Sequence, residues 1–138
     1  MGDAVFLTTD GPHSPGYTAK VADAVDLGMR VLCYATRAGE DGLTHPSDAY
    51  ALLGALCTAT GRGPQLFAQL AAFLDRAKAS GRLCDSSGGD PAERTALAAA
   101  RLAEAGAGME MVTRALEAAQ NATSGLYFED GAKGESDG

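Results

Sequence analysis

The segment Gly81–Glu93, GRLCDSSGGDPAE, gathers a thiol, two hydroxyls, three acids and a glycine pair within thirteen residues. Nucleophilic catalysis by Cys84 would require a base and a neighbour that stabilises the thiolate. The adjacent residue is Asp85, which disfavours a thiolate, and the two histidines, His13 and His45, are distant in sequence. Each part of the segment also has a structural use. Gly81 can close one helix in the left-handed conformation, Ser86 to Gly89 are turn formers, and Asp90, Pro91 and Glu93 match the cap, first-turn proline and capping-box partner of the next helix. The segment is therefore read as a connection between helices that carries no chemistry.

Other constellations are weaker. Two histidines without HxxxH or HExxH spacing, and acids scattered over separate helices, point to no metal centre. Cys33 and Cys57 fall next to helix faces, where a free cysteine serves as a small core residue. Glu110 and Glu117, seven apart, form a solvated stripe, as do the pairs Arg30/Arg37 and Arg94/Arg101. The sequences GRG and SSGGD lack the GxxxxGK[ST] or GxGxxG pattern, and the preceding strand, that give a phosphate loop its meaning. No catalytic residue, metal or cofactor is expected, and the protein is read as not an enzyme.

The net charge of −7 and pI near 4.6 provide no basic stripe to displace counterions from phosphates, so nucleic acid is an unfavoured partner. The charge is uneven: residues 1–43 carry −3, residues 44–82 carry +2 (Arg62, Arg76, Lys78 and Arg82 against Asp48 and Asp75), and residues 83–138 carry −6. A cationic middle between acidic flanks suits helix pairing within or between chains. Three cysteines without CxxC spacing and no signal-peptide pattern suggest a reducing, cytoplasmic setting. No apolar run approaches the ~18 residues of a membrane span. The Asn121-Ala122-Thr123 sequon is then read as chance, and Phe6 stands where a myristoylation signal needs Ser or Thr.

The elements that must position these residues are helices. Residues 1–13 read as an extended or weakly ordered arm. Ser14 and Pro15 then start a helix with Val21, Val25, Gly28, Leu32 and Ala35 on one face, ended at Gly39. A second helix starts at Thr44 or His45 with Pro46 and Asp48 in its first turn and presents Ala49, Leu52, Leu53, Leu56 and Thr60. GRGPQ at 61–65 breaks or kinks it, because proline cannot donate to the carbonyl four residues back. Leu66, Phe67, Leu70, Phe73, Leu74 and Ala77 continue as a face to Gly81. From Pro91, Ala98, Leu102, Ala105, Met109, Val112, Leu116, Ala119 and Thr123 recur at 4 and 3, close to a coiled-coil seam that Gly106 and Gly108 weaken and mark as a bend or close crossing. The glycine-rich acidic tail 129–138 is expected to be disordered.

The expected fold is all-α and four-helix bundle-like: antiparallel helical hairpins with an interrupted middle helix, residues 14–128 forming one helical domain. With 28 alanines and no tryptophan the core is thin, which favours self-association.

The stretches LCYATR, GLTHPSDAYALLGAL, RGPQLFAQLAAFLDRAKASGRL and GGDP, in that order, resemble small alanine-rich helical proteins of high-GC actinobacteria over roughly residues 21–128. The resemblance implies a helical fold and no particular activity. The secreted helical-hairpin substrates of the same bacteria differ, since no Trp-x-Gly turn is present and Gly131 stands four residues after Tyr127, where an acid is wanted.

Two functional expectations follow. The first is a non-enzymatic, cytoplasmic helical interaction module, a homodimer or the partner of another helical protein, with Leu102, Met109, Val112 and Leu116 at its interface. The alternative is a small-ligand-binding or regulatory protein with a pocket among Tyr34, Tyr50, Leu53 and Phe67.

Overall fold

A computed structural model of the chain describes residues 5–129. All regular structure among them is helical: α1 (Pro15–Ala35), α2 (Pro46–Gly61), α3 (Gly63–Ala79) and α4 (Pro91–Thr123). The expected disordered tail lies, apart from Glu129, outside the described residues. The chain divides after Thr44 into two compact units.

In the first unit the Ser14 hydroxyl accepts from the Tyr17 backbone N–H at 3.0 Å, with Pro15 opening the helix where its missing N–H costs nothing. Thr36, rather than Gly39, caps the end. The arm before α1 is tied to it: the Tyr17 hydroxyl donates to the Phe6 carbonyl at 2.6 Å and accepts from the Thr8 N–H at 3.1 Å.

The second unit is an antiparallel pair of rods. His45 caps α2, its N–H donating to the Asp48 carboxylate at 2.9 Å. Between α2 and α3 only Arg62 intervenes, and its φ of −85° and ψ of −10° remain near helical values. The Arg62 N–H reaches back to Ala59 O at 3.2 Å, and the i to i−4 ladder resumes with Leu66 N–H to Arg62 O at 3.1 Å. Pro64 therefore bends the rod instead of ending it, so the two segments behave as one bent helix and the described chain as three rods. The four-helix bundle of the sequence reading is thus met within one chain only as far as its all-helical class.

The bent rod lies along α4. Tyr50 meets Gln120, Thr60 meets Thr113, Gly63 meets Met109 and Pro64 meets Gly106, a set of pairings whose opposite numbering defines the antiparallel register. The 33 residues of α4 are helical chiefly through alanine, the strongest helix former, and through its Asp90 cap, whose side chain accepts from Ala92 N–H at 3.0 Å. Its length matches the combined length of α2 and α3.

At the bend the rods touch backbone to backbone. A Cβ on Gly63 would stand 2.5 Å from Met109 Cγ, and one on Gly106 would stand 3.5 Å from Pro64 Cα. Both glycines are buried. The reading of Gly106 as a close crossing is met, whereas a Cβ on Gly108 would meet nothing within 4 Å.

These distances decide the sign of a substitution. Gly106→Ala adds a methyl at ordinary contact distance and removes the helix penalty of glycine, so urea denaturation should show stabilisation by about 0.5–1 kcal/mol. Gly106→Leu cannot fit the crossing and should destabilise by about 1–3 kcal/mol.

Candidate interaction surface

The inward face of α4 includes Thr95, Ala98, Leu102, Gly106, Met109, Thr113, Leu116, Gln120 and Thr123, all buried or half-buried. It differs from the expected apolar seam by one step at three of that seam's eight positions. Ala98, Leu102, Met109, Leu116 and Thr123 do lie on it, but Gly106, Thr113 and Gln120 replace Ala105, Val112 and Ala119, which are exposed. The reason is chemical as well as steric. The Thr60 and Thr113 hydroxyls lie 2.7 Å apart between the rods, each also within reach of a carbonyl of its own helix, Cys57 O at 3.3 Å and Met109 O at 2.9 Å, and the Gln120 amide donates to Tyr50 O at 3.3 Å. Polar contacts of this kind are worth about 1 kcal/mol each when both partners are satisfied, more than the two small apolar faces of Ala105 and Ala119 offer in the same place.

This rotation gives the hairpin two unlike flanks. One carries Glu110, Arg114 and Glu117 on α4, 60–120° round the helix from the inward line at 100° per residue. Two shallow grooves open on it, one of about 440 Å³ lined by Phe67, Ala71, Ala99, Leu102, Ala103 and Glu110 among others, the second bounded by Gly61, Gln65, Glu110 and Arg114. Since those grooves show which edges of the two rods share this flank, the same helical rotation assigns the other.

On the opposite flank Leu66, Leu70 and Phe73 of α3 stand level with α4 residues 97–105, and Val112 and Ala119 of α4 stand farther along, level with α2. Leu66 is 54% exposed, Leu70 45%, Phe73 58% and Val112 45%. Beyond Arg101 the register places no charged residue of α4 on this flank as far as Thr123. Arg94 and Arg101, which precede that stretch, are both engaged: Arg94 Nε is 3.6 Å from Asp85, and Arg101 donates to Glu104 at 2.6 Å. Arg94 and Arg101 share the flank with Leu70 and Phe73; alongside Val112 and Ala119, α2 contributes no charge, because no charged residue occurs between Asp48 and Arg62. A helix apolar on all sides is ordinarily covered on more than one side.

The residues of the expected ligand pocket belong to three helices. Tyr34 belongs to the first unit, where the Arg37 guanidinium lies 4.6 Å from its ring centre. Tyr50 and Leu53 are on α2, and Phe67 lines the small-residue groove, which includes neither of them. Sequence reasoning grouped Leu66, Phe67, Leu70, Phe73, Leu74 and Ala77 as one face. The structure divides that group, turning Phe67 and Leu74 toward α4 and leaving Leu66, Leu70 and Phe73 on the flank. The usable signal was its breadth: an arc of about 120° at 100° per residue exceeds the roughly 100° stripe that one packing contact requires.

The segment that opened the sequence analysis is a connection built around Asp85. Its carboxylate accepts from the Ser87 hydroxyl at 2.7 Å and the Ser87 N–H at 2.9 Å, while its carbonyl accepts from Gly88 N–H at 2.9 Å. Gly81 takes a φ of +76° after α3, and Cys84 is exposed. The Asp85 side chain is only 13% exposed. The Ser87 hydroxyl and N–H, with Arg94 adding a smaller attraction, hold its carboxyl below the ordinary value despite the opposing cost of desolvation. Among the described residues no group of three or more His, Cys, Asp or Glu side chains is placed to hold a metal ion, and no helix is long and apolar enough to cross a membrane.

Comparison with protein-family models, with curated proteins and with solved structures finds no match to this chain.

A lowered folded-state pKa stabilises the fold above the unfolded value and ceases to do so as pH falls through the folded one. Asp85→Asn should therefore be less stable than wild type at neutral pH, and the difference should shrink below the ordinary carboxyl value of 3.8, as read from urea midpoints across a pH series. In the same connection, Asp90→Ala should cost about 1 kcal/mol through loss of the α4 cap, whereas Cys84→Ser should leave the midpoint unchanged.

Proposed function

We propose that this chain is a non-enzymatic helical protein-interaction module that self-associates in the cytoplasm. One observation carries the reading. Large apolar side chains on the ordered helices of the hairpin, Leu66, Leu70, Phe73 and Val112 among them, keep about half of their surface in water. Covering such side chains contributes about 25 cal/mol per Å², and association is the means by which a two-layer hairpin gains that contribution. A four-helix bundle is then reached by combining hairpins from two chains.

The chemistry-bearing residues support the same reading from another side. Asp85, the acid most enclosed in the Gly81–Glu93 connection, spends Oδ1 on two bonds from Ser87 that shape the turn, while its buried Oδ2 has no hydrogen-bond partner and lies 3.6 Å from Arg94 Nε. Ser87 is spent on Asp85, and Asp90 on capping α4.

Assembly coupled to folding makes stability depend on concentration by mass action. The melting temperature of the full chain should rise by about 5 °C over a hundredfold increase in protein concentration, followed by circular dichroism in cells of different path length. A constant melting temperature over that range would reject self-association.

A further inference from the structure

We infer that the half of the hairpin nearest the 81–90 connection docks an acidic amphipathic helix of another protein, laid along the flank where Leu66, Leu70 and Phe73 of α3 stand beside Arg94 and Arg101 of α4. This rests on the reading of the chain as an interaction module and goes beyond it by giving this flank a partner other than a second copy.

The antiparallel register builds the surface from two unlike rows. Pro64 meets Gly106, so Leu66 is level with Ala105, Leu70 with Arg101 and Phe73 with Ala98, and Arg94 stands about one turn beyond Phe73. At 100° per residue Leu66, Leu70 and Phe73 fall within about 60° of one another on α3, and Arg94 and Arg101 within about 20° on α4. One rod thus offers a row of half-exposed apolar side chains, and the other a row of guanidinium groups whose side chains are 69% and 67% exposed. A guanidinium carries five N–H donors, and the ion pairs to Asp85 and Glu104 run from Nε of Arg94 and Nη1 of Arg101. The pair with Glu104 lies in water, where such pairs are weak and yield to a better partner.

An occupant must satisfy both rows at once. A purely apolar segment would desolvate the arginines without pairing them, and a basic one would be repelled. A helix with apolar residues at i, i+4 and i+7 matches the spacing of Leu66, Leu70 and Phe73. Acids seven residues apart on the edge of that stripe recur every 10.5 Å or about that, the same rise as from Arg94 to Arg101. From Leu66 to Ala77 the flank runs about 17 Å, three turns, which suits a peptide helix better than a whole domain. The net charge of −7 does not oppose this partner locally, because residues 62–105 carry six basic and five acidic side chains and the excess acid lies elsewhere. A second copy laid flank to flank here would bring four arginines together, so self-association is left to the rest of the exposed apolar surface.

Fluorescence anisotropy of the full chain with a labelled helical peptide tests the assignment. The peptide has about eighteen residues, with leucine at i, i+4, i+7 and i+11, glutamate seven apart on one edge of that stripe, and alanine or glutamine elsewhere. A control peptide carries lysine in place of glutamate. The acidic peptide should bind with a micromolar dissociation constant, about tenfold more tightly than the lysine peptide, and should weaken as salt rises from about 50 to 300 mM. Arg101→Glu should weaken the acidic peptide about thirtyfold and strengthen the lysine one. Arg101→Gln, which adds no like charge beside Glu104, and Phe73→Ala should each weaken the acidic peptide about tenfold with helix content unchanged by circular dichroism. Ala107→Glu, on the groove-bearing flank, should bind as wild type does. Equal binding of the two peptides, binding of neither to the folded chain at high micromolar concentration, or indifference to the Arg101 and Phe73 changes would remove this site while leaving self-association standing. Loss of self-association in Arg101→Gln, read by sedimentation velocity, would place a second copy on this flank and overturn the assignment. A melting temperature independent of protein concentration, together with the expected peptide binding, would remove self-association and leave this site standing.

Discussion

The hydroxyl pair of Thr60 and Thr113, 2.7 Å apart across the two rods, sets the rotation of α4, and most of the second unit follows from that rotation. With Thr113 turned inward, Gly106 and Gln120, seven residues to either side, are turned inward too. Gly106 then meets Pro64 at the bend, and Gln120 reaches the carbonyl of Tyr50 near the start of α2. These three contacts span the seam from its middle to its end. A rotation by one residue would break all of them together.

The same rotation determines what the surface presents. Inward placement of Thr113 puts Val112 outside, and the charged residues Glu110, Arg114 and Glu117 fall on the far side of the helix. Exposure of the apolar stripe is thus a consequence of a polar seam, since a seam made of Ala105, Val112 and Ala119 would have hidden it within the chain. A polar line within a helix pair fixes register at some cost in apolar burial, and the unburied remainder becomes available to a partner.

The bend between α2 and α3 serves that arrangement. Two glycines and a proline within four residues would end a helix in isolation, yet Arg62 keeps near-helical dihedrals and the ladder restarts after a single step. Contact with α4 on both sides of the bend supplies the reason: each half of the rod gains packing only if the other continues along the same partner. Gly63 also permits the close approach, because the side chain of Met109 occupies the space that a Cβ would take.

What the sequence by itself determined is local. Ser14 with Pro15, Pro46 with Asp48, and Asp90 with Pro91 mark helix starts through hydrogen bonds and fixed φ within one turn, so they are legible in any context. Gly81 and the turn of Ser86 to Gly89 are legible for the same reason, as is the structural character of the connection that first invited a catalytic reading. The rotation of α4 is not local. Ala105, Val112 and Ala119 form one series spaced by seven, Gly106, Thr113 and Gln120 form another one residue later, and their faces differ by only about 100°. Apolar periodicity alone selects the first series. Only the tertiary structure selects the second, because the choice depends on a hydroxyl at Thr60, the carbonyl of Tyr50 and a backbone approaching at Pro64, all of them on a rod separated from these positions by more than forty residues of chain.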